Sequence, residues 1–127
     1  MRDIHHYDIV CFQEAWGFFQ EIKQLIVALA QKAGFLYYAE TKDPSFASTY
    51  IGDAGILILS RFPVTSSHYM PYSYGIYNDG FTRRGVLYAE ITVNTDVPVK
   101  LHIFNTHMQS SYFHPPHEAP DILKRAL

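Results

Sequence analysis

The stretch Tyr7-Asp8-Ile9-Val10-Cys11-Phe12-Gln13-Glu14-Ala15-Trp16 decides the reading of this chain. Asp8-Ile9-Val10-Cys11-Phe12 reads as a short buried strand that hands over through Gln13 to a single carboxylate, Glu14. A carboxylate leaving water must find a cation, a donor or a proton, so an acid at the end of an apolar strand calls for a reason. In α/β sheets, ligands and metals gather outside the carboxyl ends of the strands, which makes Glu14 a site candidate. The alternative is that Glu14 only favours the start of the next helix through the helix dipole.

Working outward, Phe18, Ile22, Leu25, Ile26 and Leu29 recur at helical intervals, with Gln20, Glu21, Lys23, Gln24 and Gln31 opposite them. Gly34 is placed to stop that helix in a left-handed cap. Phe35-Leu36-Tyr37-Tyr38-Ala39-Glu40 reads as a strand and residues 41–49 as a loop, with Gly52-Asp53-Ala54-Gly55 a turn into the next strand. The aliphatic run Ile56-Leu57-Ile58-Leu59-Ser60 has the pattern of a strand covered on both faces, closed by Arg61-Phe62-Pro63-Val64. Residues 66–79 carry Tyr69, Tyr72, Tyr74 and Tyr77 with no regular period and read as an ordered aromatic loop. Such a loop could stack on a choline-like headgroup or lie on a lipid surface, or simply rest on the rim of the fold with wet hydroxyls. Gly85 to Val93 and Val99 to Asn105, joined by Asn94-Thr95-Asp96, form a hairpin. His114-Pro115-Pro116-His117 is a loop, and a further helix opens near Pro120. This order predicts an α/β fold with antiparallel pairs in the sheet.

The bulk numbers narrow the function. With 127 residues, 48% hydrophobic and 17% charged, the chain has room for one core. A net charge of −2, with 7 His besides, disfavours a dedicated nucleic-acid module, which would need a basic field. The single cysteine, Cys11, excludes an internal disulfide or a cysteine-rich zinc site. The absence of a long apolar run or an apolar leader predicts a soluble chain and leaves the compartment open.

A second strand ends in polar groups: His102-Ile103-Phe104-Asn105-Thr106-His107-Met108-Gln109. His107 alone is more often a hydrogen-bonded structural histidine than a catalytic one. Together with the first stretch it completes a pattern that resembles the endonuclease/exonuclease/phosphatase superfamily, with the DNase I-like fold, and most closely its neutral sphingomyelinase branch. DIVCFQE resembles the strand ending in that family's metal-binding glutamate, here Glu14. Gly55-Ile56-Leu57-Ile58-Leu59-Ser60-Arg61-Phe62-Pro63-Val64 resembles its glycine-to-LSR-x-P strand and turn. Arg84-Gly85-Val86-Leu87-Tyr88 resembles a strand start at which lysine is usual in the sphingomyelinases. Asn105-Thr106-His107-Met108-Gln109 resembles their THLQ signature, with Met108 in place of leucine.

The resemblance implies a partial DNase I-like four-layer α/β sandwich over residues 1–127, with a mixed, largely antiparallel sheet flanked by helix. It implies that Glu14 holds Mg2+ against a phosphate oxygen and that His107 faces the scissile phosphate. Asn105 and Gln109 are candidates either to bind the phosphate and substrate directly or to support the residues that do, and Arg84 is the candidate phosphate-contacting cation, with Arg83 an equal alternative to Arg84 and both open to being merely solvated. The implied reaction is cleavage of sphingomyelin to ceramide and phosphocholine, with a phospholipid substrate and peripheral membrane contact. Nucleic acid and inositol phosphates are the alternative substrates in the same superfamily. The family also has an Asn on a strand before DIVCFQE, and an Asp-x-Asn and a water-activating Asp-His pair that would fall beyond Leu127. The sequence therefore predicts the first half of the fold, lacking its partner sheet and leaving a strand face open, and inactive by itself. A non-catalytic module using the aromatic loop to bind a partner or a lipid is the reading from another class. A cysteine hydrolase using Cys11 and His107 is disfavoured, because a thiol in mid-strand among apolar neighbours is usually inert.

Overall fold

The computed structural model describes residues 4–15, 21–42, 54–72, 84–94 and 96–108. A 3-10 turn, Ile4–His6, leads into strand β1, Ile9–Phe12. Helix α1, Glu21–Lys32, is followed by β2, Tyr37–Glu40, and β3, Leu57–Ser60. Then come β4, Val64–Pro71, β5, Gly85–Val93, and β6, Val99–Thr106. The strands form two three-stranded sheets, ordered β1-β3-β2 and β4-β5-β6, and every pairing is antiparallel.

The aliphatic run is the centre of the molecule, as its unbroken pattern predicts. All four residues of β3 are buried, and they divide by the two-residue period of a strand. Leu57 and Leu59 turn to α1 and meet Ala30 and Phe35, while Ile56 and Ile58 turn to the second sheet and meet Leu87, Ala89 and Ile91. The layers are thus helix, sheet, sheet. The expectation that the partner sheet would be missing is corrected here. Residues 64–106 supply three strands of it, and the sheet face opposite α1 is covered. The open face belongs to the second sheet, where Met70 and Phe104 are exposed.

Two further expectations change. The helix was expected to bury Ile22, Leu25, Ile26 and Leu29, but its inward stripe is Lys23, Ile26, Val27 and Ala30. Each position moves on by one residue, about 100° around the axis. The cause is Lys23, assigned outward for its charge, yet only 1% exposed. The first part of the expected aromatic loop, from Ser66 to Pro71, belongs instead to strand β4, Val64–Pro71. Its sequence VTSSHYMP shows no apolar alternation because it is the exposed outer strand of its sheet. Trp16, Phe18, Tyr74, Tyr77, the 114–117 loop and the helix expected near Pro120 lie outside the described residues.

The helix end matches its sequence signal. Gly34 has φ 90°, its amide donates to Gln31 O at 3.0 Å and the Phe35 amide to Ala30 O at 3.0 Å, the pair of bonds of a Schellman cap. Among the described residues, no helix is long and apolar enough to cross a membrane.

Candidate active site

The antiparallel topology brings the ends of β1, β2, β4 and β6 and the starts of β3 and β5 to one end of the molecule. Glu14 lies just past β1 in the first sheet, and His107 just past β6 in the second. His107 Nε2 stands 3.3 Å from Glu14 Oε1, an ion pair whenever the ring is protonated. The imidazole is held, with 12% of its side chain exposed, whereas the Glu14 side chain is 64% exposed.

The two strand ends are tied by side-chain amides. Gln13 Nε2 donates to Thr106 O at 2.6 Å and to Asn105 Oδ1 at 3.3 Å. Asn105 Nδ2 donates to Phe12 O at 2.9 Å and to Leu57 O at 3.2 Å. One buried asparagine therefore bonds to the end of β1, the start of β3 and Gln13, and holds β6 against the first sheet. Its amide hydrogens point to backbone carbonyls rather than outward. Gln13 escaped notice in the sequence because its partners come from the far end of the chain. Thr106 Oγ1 donates to Gly85 O at 3.2 Å and lies 2.5 Å from the Tyr72 hydroxyl, joining all three strands of the second sheet at this end.

Glu14 sits on a backbone elbow. Its φ of 57° is left-handed, a conformation costly for a residue with a side chain and one that clusters at functional sites. Gly55, with φ 60°, lies directly behind it and accepts the Ala15 amide at 2.8 Å. A Cβ on Gly55 would stand 3.0 Å from Ala15 N and 3.3 Å from Glu14 Cα, so a residue without a side chain is required there. The family motif beginning at Gly55 thus has a local cause.

Arg84 is buried, which sets aside the alternative that it is merely solvated, and its Nη1 donates to Met108 O at 3.2 Å beside His107. Gln109 and Arg83 lie outside the described residues. Cys11 is exposed on β1 rather than buried in it, being on the pairing register opposite Ile58 at the margin of the inter-sheet core. Partial burial still pushes its thiol above the ordinary value. The thiolate fraction at neutral pH is correspondingly small. Iodoacetamide should therefore alkylate Cys11 of the folded protein more slowly than a free cysteine at pH 8, gaining as pH rises further. Alkylation as fast as the free thiol would contradict that environment.

Glu14 offers a hard, accessible oxygen donor, which fits magnesium: that ion binds through one or two carboxylates and keeps several waters. No group of three His, Cys, Asp or Glu side chains converges among the described residues, so none of them forms a closed protein cage.

Helix, sheet and sheet, with an acid and a histidine meeting at the strand ends, define a partial DNase I-like α/β sandwich. The chain belongs to the endonuclease/exonuclease/phosphatase family, whose sequence model matches residues 1–127. It is 35% identical over 112 residues to a sphingomyelinase of Dictyostelium discoideum, covering 84% of this chain and 24% of that protein. Its fold matches the beta toxin of Staphylococcus aureus with a TM-score of 0.79 at 21% identity, over 96% of this chain and 45% of that one. It matches sphingomyelinase C from Streptomyces griseocarneus with a TM-score of 0.72 at 20% identity, over 98% of this chain and 47% of that one. A variant of the beta toxin, matched at TM-score 0.69 and 21% identity over 88% of this chain and 40% of that one, carries bound magnesium ions. The chain thus spans 24% of the Dictyostelium protein and under half of the bacterial ones. The resemblance read from the four motifs is borne out at the level of family and fold.

Proposed function

We propose that this chain is the metal- and phosphate-binding half of a magnesium-dependent phosphodiesterase that cleaves sphingomyelin to ceramide and phosphocholine. The observation that carries the reading is the meeting of Glu14 and His107 at 3.3 Å across two sheets, each at the end of its strand. Glu14 is the anchor for Mg2+, which when bound withdraws charge from the phosphate as a Lewis acid. The elbow on Gly55 presents the carboxylate to solvent, where a hydrated ion can reach it.

His107 has the complementary task. Its Nε2–H, directed at Glu14 in the free site, turns to a non-bridging phosphate oxygen as substrate enters. A donor fixed where negative charge grows stabilises the transition state more than the ground state. Asn105 acts through its neighbours, holding the two strand ends in register, and Gln109 is the phosphate donor assigned by motif alone. Arg84 braces the segment after His107 through Met108 O and adds positive potential. None of the motifs matched here corresponds to the family's water-activating Asp-His pair, so these 127 residues by themselves are expected to turn over no phosphodiester. Similarity to the Dictyostelium sphingomyelinase and a net charge of −2 support a lipid over a nucleic acid.

The test is an assay of the full-length protein on sphingomyelin vesicles, DNA and an inositol phosphate, each with Mg2+ and with EDTA. Phosphocholine release in Mg2+ alone is the expected result. Faster turnover of DNA or the inositol phosphate would move the substrate to another branch of the family.

A further inference from the structure

We infer that Lys23 is a positioning residue for Glu14, acting through Thr41, Ile56 and Gly55 to hold the elbow on which the carboxylate stands. The inference rests on the metal-binding role proposed for Glu14. Lys23 is 1% exposed, and an ammonium taken from water is costly unless its charge is used. Its Nζ donates to the carbonyl of Thr41, the residue just past β2. Thr41 is itself fully buried and bound to Ile56 by three hydrogen bonds. Its amide donates to Ile56 O at 3.1 Å, its Oγ1 donates to the same carbonyl at 3.2 Å, and the Ile56 amide donates to Thr41 Oγ1 at 3.2 Å. Ile56 follows Gly55, which takes the Ala15 amide and lies against Glu14 Cα.

These contacts close a ring. The chain leaves the elbow at Ala15, enters α1, and returns through the Lys23 ammonium to the residues that support the elbow from behind. Anchoring α1 to the sheet does not by itself need a charge. A methionine of similar length would fill the same space, and replacing buried ionic groups by apolar ones is often neutral or stabilising. What a methionine cannot do is grip the Thr41 carbonyl from the helix and so fix the β2–β3 end on which Gly55 sits.

The experiment compares the full-length protein with its Lys23→Met and Lys23→Arg variants by hydrogen exchange and by calorimetric titration with Mg2+. Lys23→Met should speed exchange at Ala15 while β3 amides keep their protection, and should weaken Mg2+ binding about 10- to 100-fold, the range for residues that orient a metal ligand. Turnover at saturating Mg2+ should stay near that of the parent, and Lys23→Arg should recover most of the loss. Equal loss of protection at Ala15 and in β3 would show a merely structural lysine and overturn the inference, as would unchanged exchange at Ala15. Should Lys23→Met fail to fold, Thr41→Val, which removes the two Oγ1 bonds to Ile56, is read by the same measurements and the same outcomes. If Glu14→Gln leaves Mg2+ binding intact in the same titration, the metal assignment fails, while exchange at Ala15 still decides the role of Lys23.

Discussion

Glu14→Gln is expected to lower magnesium-dependent sphingomyelin cleavage by the full-length protein by roughly 10³-fold or more, because several kcal/mol of charge stabilisation go with the metal anchor. The fold should be indifferent to the change. The side chain is 64% exposed, and glutamine meets the same backbone demand at a φ of 57°. Stability should accordingly stay within about 0.5 kcal/mol, as for surface substitutions generally. His107→Gln separates the two roles. It should cost about 10²- to 10³-fold in kcat as a lost oxyanion donor while leaving the Mg2+ requirement near its original concentration, whereas Glu14→Gln moves that requirement. Turnover of Glu14→Gln equal to the parent's would remove Glu14 from the metal site.

Asn105→Asp is expected to destabilise the protein by about 3 kcal/mol, measured by chemical denaturation, and to lose activity as a consequence. Phe12 O and Leu57 O both accept from the Asn105 amide, and an ionised carboxylate there has no hydrogen to give and sets its charge against them. Asn105→Leu should behave similarly, because it removes the bonds to both carbonyls and leaves Gln13 Nε2 only its bond to Thr106 O. A phosphate-binding asparagine would give the opposite pattern, with stability retained and KM raised. Full stability of Asn105→Asp would therefore return the residue to the substrate.

The motifs at the ends of β1 and β6 were legible because each joins an apolar run to polar residues that no core would select. The hairpin, the Gly34 cap and the doubly covered β3 were legible for related reasons, since each follows from local period or backbone conformation. Lys23 was misassigned because charge is normally a signal for solvent, and the carbonyl that receives it, at Thr41, has no sequence signature. Asn105 was recognised as special but not for its bonds, since Phe12 and Leu57 contribute only main-chain oxygen. β4 hid among tyrosines and serines because an edge strand with little burial needs no alternation. Cys11 looked interior because its neighbours Ile9, Val10 and Phe12 are apolar, yet its own position on β1 faces the margin of the inter-sheet core.

The site's division between two sheets makes ligand affinity a gauge of tertiary order. A ligand that engages Glu14 and His107 together recognises only molecules in which the sheets are in register, so binding energy is drawn upon to hold them there, and by linkage anything that loosens their packing weakens the ligand. Ala39, Ala89 and Ile91 are buried in the seam between the sheets, away from Glu14 and His107 in sequence. Their closely fitted side chains nevertheless set how tightly the acid and the imidazole are kept in step, so the end of the molecule that carries Glu14 and His107 is calibrated from its middle.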